Sequence, residues 1–337
     1  MKTAVVILNW NGKSLLQKFL PSVISYSPPN SVYVIDNCSN DNSVECLKTQ
    51  FPHVHIIQNE KNYGFAKGYN EGLKQIKAQY FLLLNSDIEV TQNWLEPLEK
   101  LLDENEMIAA CQPKILSFLK PNEFEHAGAA GGFIDKWGYS FCRGRIFNIT
   151  ELDENQYNKD SEIFWASGAS MLIRSTLFFK LHGFDENFFA HMEEIDLCWR
   201  LKNEGYKIGF SHASKVLHVG GATLNYASPN KTYLNFRNNL LMMMKNLPHQ
   251  NLFRTLFIRM LLDGLAGIKF ITEFKFLHFM SVIKAHISFY ILFRTYYNKR
   301  NKNIPQSLSC VFVGSIISEF FLKKKKKFSQ LDINRIS

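Results

Sequence analysis

The chain has no C-x-x-C pair, no G-x-G-x-x-G triplet after its first strand-like run and no G-x-x-x-x-G-K-[ST] loop. Its six cysteines (Cys38, Cys46, Cys111, Cys142, Cys198, Cys310) are scattered, which argues against a disulfide framework or a structural zinc site and suits a reducing cytosol. Where a dinucleotide fingerprint would stand, the sequence reads "NWNGKS". The glycines of "NYGFAKGYNEG" are spaced by four and come after the third strand-like run, so a nicotinamide dehydrogenase is set aside. Met1-Lys2-Thr3 leads straight into a strand, with no expectation of a signal peptide. In the C-terminal part, the longest stretch without Asp, Glu, Lys or Arg is 16 residues, Asn303–Ser318, and it contains a proline. That is short of the roughly 20 apolar residues a spanning helix needs.

What is present begins with an uneven distribution of charge. The 337 residues are 46% hydrophobic and 14% aromatic, ample for a core, and carry a formal charge of +9. From Lys245 onward there are 16 Lys and Arg against 4 Asp and Glu; the first 244 residues carry 23 against 26. The expected organisation is an acidic α/β domain over 1–245 and a basic, amphipathic helical region over 246–337.

"TAVVILNWNG", "SVYVIDNCSND", "VHIIQN" and "YFLLLNSD" read as strands, with helical spacing in "KSLLQKFLPSVISY", Val44–Gln50 and "GYNEGLKQIKAQ" between them. Strands alternating with helices predict a mostly parallel, Rossmann-like sheet. Three of the four strands end in polar clusters: Asn9-Trp10-Asn11, Asp36-Asn37 and Asn85-Ser86-Asp87. Strands that run the same way bring these clusters to one edge, where open α/β sheets bind ligands. A turn or helix cap is the alternative for each of them.

These segments resemble the nucleotide-binding half of glycosyltransferase family 2, with its GT-A fold. The resemblance rests on the opening Asn-x-Asn, "VIDNCSNDNS", "NEKNYGFAKGYNEG" and "LLLNSD", then "FWASGASMLIR" through "GYKIGF" and "VLHVGGATLNY". It covers about residues 3–240 and looks most like the rhamnosyltransferase-like branch that builds bacterial surface polysaccharides. It implies a donor side formed by Asn9, Asn11, Asp36, Asn37, Asp41, Gly64, Lys67, Asn70, Asn85, Ser86 and Arg237, with Asp36 on the nucleoside and Asp41 near the base. "NSD" looks like the family's Asp-x-Asp motif with Asn85 at its first position. The implied cation, Mg²⁺ or Mn²⁺, would then be held by Asp87 and by His218, with Gly220-Gly221 allowing close backbone approach. A core histidine is the alternative for His218.

In "HMEEIDLCWRLKNEGY", Glu193, Glu194 and Asp196 crowd the start of a helix. Acids suit a helix N-terminus, and Asp196 can pair with Arg200 one turn on. Crowded carboxylates also raise one another's pKa, as a general base requires. The resemblance assigns the catalytic base to this pair, at Glu194 with Glu193 in reserve. It places Trp165 and Gly168 on the acceptor side, against a bulge with a core tryptophan. Tyr233, Arg237 and Asn238 form a Tyr-x3-Arg-Asn pattern that would tie a helix to the diphosphate side, against a solvated face.

Residues 249–337 contain long apolar segments studded with Arg and Lys, then five lysines at 323–327. Such segments suit a membrane interface with anionic head groups; a packed subdomain is the alternative, and no nucleic-acid fold is recognisable. The reading is an inverting, metal-dependent glycosyltransferase, cytoplasmic and peripheral at the inner face of the plasma membrane. A sugar, rhamnose or another hexose, would pass from a nucleotide-diphosphate donor to a glycan acceptor, itself lipid-linked. A non-catalytic nucleotide-sugar-binding relative is the rival, supported by Asn85 and by Glu in place of Asp at 194.

Overall fold

The computed structural model describes residues 1–220, 228–301 and 304–337; Gly221 lies outside them. The first half holds strands β1 (Thr3–Asn9), β2 (Val32–Asp36), β3 (His55–Gln58) and β4 (Tyr80–Leu84), alternating with α1 (Lys13–Tyr26), α2 (Ser43–Gln50) and α3 (Gly64–Leu73). The four strands lie parallel in the order β3-β2-β1-β4. Their side chains alternate between two cores. Val5 and Ile7 of β1 and Leu82 of β4 pack with Leu16 and Leu20 of α1, while Ala4, Val6, Phe81 and Leu83 pack with Tyr69 and Leu73 of α3. Helices on both faces are why these strands read as unbroken apolar runs.

Next come β5 (Ile88–Val90), α4 (Glu96–Asp103) and β6 (Ile108–Ser117). Four short strands follow: β7 (Gly132–Asp135), β8 (Ser140–Cys142), β9 (Arg145–Ile146) and β10 (Ile149–Thr150). The chain then forms β11 (Ser161–Ile163), β12 (Ser170–Arg174), α5 (Ser175–Lys180), α6 (Glu193–Asn203), β13 (Lys207–His218) and α7 (Pro229–Asn246). Finally come α8 (Leu252–Thr272), α9 (Phe276–Asn298) and β14 (Val311–Phe312). The main sheet runs β11-β13-β6-β12-β4-β1-β2-β3, with β5 on the end of β13. β12 enters antiparallel beside β4, pairing Ser170 with Leu84, so the loop before β12 abuts the end of β4.

Two elements of the first 245 residues differ from the sequence expectation. The helix expected over 68–79 lies over Gly64–Leu73. It can begin at Gly64 because that residue has φ +76° and a Cβ there would meet the Phe189 ring at 2.5 Å. The strand expected over 164–174 is confined to β12, since Phe164 and Trp165 turn into the core between the sheets.

A second sheet has the order β10-β9-β8-β7-β14, closed by a strand from the far end of the chain. Beyond residue 304 the expected amphipathic helix is absent: the chain forms β14 and isolated helical turns. Aromatic packing accounts for this, because Phe312 stacks edge-on against Phe141 and Phe328 lies on Phe133. The run at 323–327 is partly tied down, with Lys323 and Lys325 at 2.9 and 3.0 Å from the buried Glu319.

Candidate active site

The polar ends of β1, β2 and β4 meet at one edge, with much of the polar cluster engaged in building it. Asp36 is buried; its Oδ1 accepts from Asn9 Nδ2 at 3.0 Å and its Oδ2 from the Ser39 N–H at 2.9 Å. Asn9 Oδ1 is left without a partner. Asn11 accepts from the Asn40 N–H at 2.8 Å, and its own N–H donates to Ser39. Asp41 caps two helices at once, accepting from the Lys13 N–H at 2.8 Å and the Ser43 N–H at 3.0 Å. Asn37 donates to Asn62 and the Gly64 carbonyl while accepting from Asn59, which fixes the turn into α3. Asn70 clasps the backbone of Phe184 through both its amide atoms, and Lys67 pairs with Glu186 at 3.0 Å.

At the end of β4 the arrangement differs. Asn85-Ser86-Asp87 turns the chain into β5, whose Ile88 pairs with His218 of β13. That pairing sets Asp87 Oδ1 3.1 Å from His218 Nε2, although the residues are 131 apart in sequence. On the other side of the ring, Nδ1 lies 3.1 Å from Oε2 of Glu125, a residue the sequence reading did not single out. The chain reverses after β6, returning the Glu125 N–H to the Ile115 carbonyl, and this brings Glu125 beside the end of β13. All three side chains are buried. Burial favours a neutral imidazole, yet the Asp87 and Glu125 carboxylates hold the His218 pKa up at about 10.

Among the described residues, no three His, Cys, Asp or Glu converge as a self-sufficient metal cage. A carboxylate and an imidazole nitrogen facing one another fit Mg²⁺ or Mn²⁺ whose other ligands are phosphate and water. With Nδ1 facing Glu125, Nε2 is the nitrogen turned toward Asp87, and an ion held there would take the place of the Nε2 proton. Lys231, in the first turn of α7, is half-buried, which lowers its pKa against the pull of Glu125.

The acid pair enters from a strained loop. Phe189, His191 and Met192 have φ of +63°, +70° and +72°, a left-handed run that non-glycine residues rarely adopt. Three contacts secure it. The Phe65 N–H donates to the Phe189 carbonyl at 2.8 Å, which satisfies the start of α3. Asn238 Nδ2 donates to the carbonyls of Phe188, Ala190 and His191 at 2.8–3.0 Å. Arg237 donates to the Asn187 carbonyl at 2.9 Å, so it secures this loop in the structure.

Glu193 and Glu194 open α6 directly after this loop, each with an Oε2 that has no partner. Burial pushes Glu194 up to about 6; burial and the charge of Glu194 push Glu193 well above the usual carboxylate range. A Cβ on Gly168 would lie 3.7 Å from Cβ of Glu194, and the next carbonyl, that of Ala169, accepts from the Asn85 N–H at 2.9 Å. One short loop therefore links the acid pair to the end of β4. Asp196 belongs elsewhere: it is buried between Arg200, Lys245 and Asn246. Trp165 is a wedge between the sheets, not an exposed acceptor wall, with Nε1 donating to the Phe133 carbonyl at 2.9 Å.

The fold is of GT-A type. The sequence model for Glycosyl transferase family 2 matches residues 4–179, more than half of the chain, and the chain belongs to that family. It is a glycosyltransferase, and rhamnosyltransferases are among the proteins it is similar to. It is 22% identical over 229 residues to the N-acetylglucosaminyl-diphospho-decaprenol L-rhamnosyltransferase of Mycobacterium tuberculosis, covering 64% of this chain and 75% of that protein. It is 26% identical over 165 residues to the rhamnosyltransferase WbbL of Escherichia coli, covering 46% and 61% respectively. Among solved structures, the mannosyltransferase PcManGT from Pyrobaculum calidifontis, in complex with GDP-Man and Mn²⁺, shares the fold. Its TM-score is 0.52 at 11% identity, over 85% of this chain and 86% of that one.

Proposed function

We propose that the protein transfers a sugar, rhamnose or another hexose, from a nucleotide diphosphate to a hydroxyl of a glycan acceptor, with inversion, in surface polysaccharide synthesis. The observation that carries this reading is the meeting of Asp87 and His218 at the end of β4, one loop away from the acid pair. Asp87 and His218 would hold Mg²⁺ or Mn²⁺, which when bound neutralises the charge of the departing diphosphate. Asp36 and Asn9, buried at the ends of β2 and β1, would face the nucleoside, with Asn9 Oδ1 the unpartnered acceptor there. Glu194, half-buried with its carboxyl raised to about 6, takes the acceptor proton as the hydroxyl oxygen bonds to the anomeric carbon. The bond to the diphosphate breaks on the opposite face, and the diphosphate leaves with its electron pair.

The name of the M. tuberculosis relative supports a lipid-linked acceptor, and the basic C-terminal region supports action at the inner face of the membrane. The test is a panel of nucleotide sugars, with Mn²⁺ or with EDTA, scored by donor hydrolysis and by shift in melting temperature. Metal-dependent turnover of one donor is expected. If no donor is hydrolysed and none stabilises the protein, the reading fails.

A further inference from the structure

α8 and α9 form a helical hairpin on the outside of the molecule, and each helix leaves an apolar stripe uncovered. On α8 the stripe is Phe253, Phe257, Leu261, Leu265 and Ile268, all more than half exposed. Their spacing of four, four, four and three puts them on one side, opposite the buried Leu252, Leu256 and Arg259. On α9 it is Leu277, Met280, Ile287, Tyr290 and Ile291, opposite the buried Val282, Ala285 and Phe289. Phe274, in the turn between the helices, is 83% exposed. An uncovered surface of this extent marks a contact with something apolar.

Charge indicates what that contact is. The exposed cations Arg254, Lys284 and Arg294 accompany the two stripes, while Lys269 and Lys275 are paired with Glu273. The acids do not oppose them: Asp263 is buried against Arg259, and Glu273 is held between Lys269 and Lys275. A long apolar face with cations and no free acid is complementary to an anionic bilayer. α9 is 23 residues long, and an 18-residue stretch of it, with mean hydropathy 1.5, is apolar enough by length and composition to cross a membrane. Its inner side is instead bound to α7, where Ser288 meets Tyr233 at 3.0 Å and His278 meets Thr232 at 2.7 Å. Such a helix lies along the surface.

We propose that the outer face of the α8–α9 hairpin seats in the boundary between head groups and acyl chains of an anionic membrane. This face, and not the lysine run at 323–327, holds the protein there. The inference rests on the membrane reading above and names the element responsible for it. The lysine run contributes less because Lys323 and Lys325 are bound to Glu319 and Lys326 lies 3.6 Å over the Phe320 ring. α7 connects this face to the chemistry, since its Arg237 and Asn238 secure the loop that carries Glu193 and Glu194. A lipid-borne acceptor held at the hairpin would be one helix away from the acid pair.

The experiment is sedimentation of the full-length protein with vesicles of equal parts phosphatidylcholine and phosphatidylglycerol, at low and high salt. Two variants are compared with the parent: Phe257→Asp with Ile287→Asp, and Lys324→Gln with Lys326→Gln and Lys327→Gln. All five positions lie outside the sugar site, so donor-induced melting shifts should be unchanged and report folding. The hairpin variant is expected to lose vesicle affinity by about tenfold or more, because two apolar side chains no longer enter the acyl layer. The lysine variant should stay within about twofold of the parent at high salt, where screened charges matter little. The reverse pattern overturns this inference and leaves the membrane reading standing. A parent protein that stays in the supernatant overturns both. A vesicle-free dimer that Phe257→Asp dissolves, without vesicle binding by the parent, would assign the face to a second copy and overturn the inference as well.

Discussion

At Glu194, burial has raised a carboxyl from its ordinary 4.5 to about 6, and two consequences follow with opposite signs. In its proposed role as base Glu194 must be deprotonated, so turnover should rise with pH through about 6 and then level off. Stability runs the other way. The folded protein binds this proton more tightly than the unfolded chain, so stability is lost as pH rises from 4.5 through 6. Glu194→Gln should therefore lower turnover by about 10²–10⁴-fold. The same variant should melt higher than the parent near neutral pH, with the difference shrinking in acid. If Glu193→Gln shows the large loss and Glu194→Gln does not, the base is the neighbouring residue. Asp87→Ala should remove turnover by about 10²-fold or more through loss of the anchored cation. Glu125→Ala should weaken Mn²⁺ binding by about tenfold, since the ring it faces is no longer oriented. Both are read by Mn²⁺ titration in the presence of donor, followed by electron paramagnetic resonance, as well as by rate.

Elements matter here through the loops they hold. The turn over 189–192 keeps three left-handed residues in place only because α3 and α7 supply its partners. Asn238→Ala would leave the Ala190 and His191 carbonyls without this donor, while the Phe188 carbonyl keeps the Ala190 N–H, a loss of about 2 kcal/mol. Urea denaturation would measure it. Because the same loop aims the acid pair, turnover should fall while donor affinity at the end of β4 persists. An unchanged rate with reduced stability would make Asn238 a structural clasp alone. In the sheet, Leu82→Ala on the fully buried β4 should cost about 2–5 kcal/mol without altering the pH profile.

For the whole molecule, the charge division near residue 246 does not separate two independent cores. Phe312, Phe320 and Phe328 belong to the same buried cluster as Phe133, Phe141 and Trp165. Truncation after Leu247 would uncover that cluster and the side of α7 that α9 covers. Such a chain is expected to aggregate or to lose its cooperative melting transition, whereas a fully soluble truncated protein that binds donor would show the two parts to be separable. The membrane contact is better probed by surface substitutions on the intact chain.

The local pattern was enough to determine the alternating β1–α1–β2–α2–β3 order, the polar strand ends and the acidic start of α6. Apolar periodicity and turn residues act over a few positions, and the sequence carries them directly. The family was legible as well, because several motifs fall in order along the chain. What the tertiary structure decided is which polar groups share a partner. Asp87 meets His218 because β5 pairs with β13, and Glu125 joins them through a reversal after β6; no short-range pattern marks a lone Glu in "FEHAG". Asn37, Asp41, Asn70 and Arg237 are of residue types suited to ligand binding, but the fold engages them in capping turns and helices. The C-terminal residues, apolar enough to read as helix, became a strand and turns because aromatic contacts with a distant sheet outweighed local propensity.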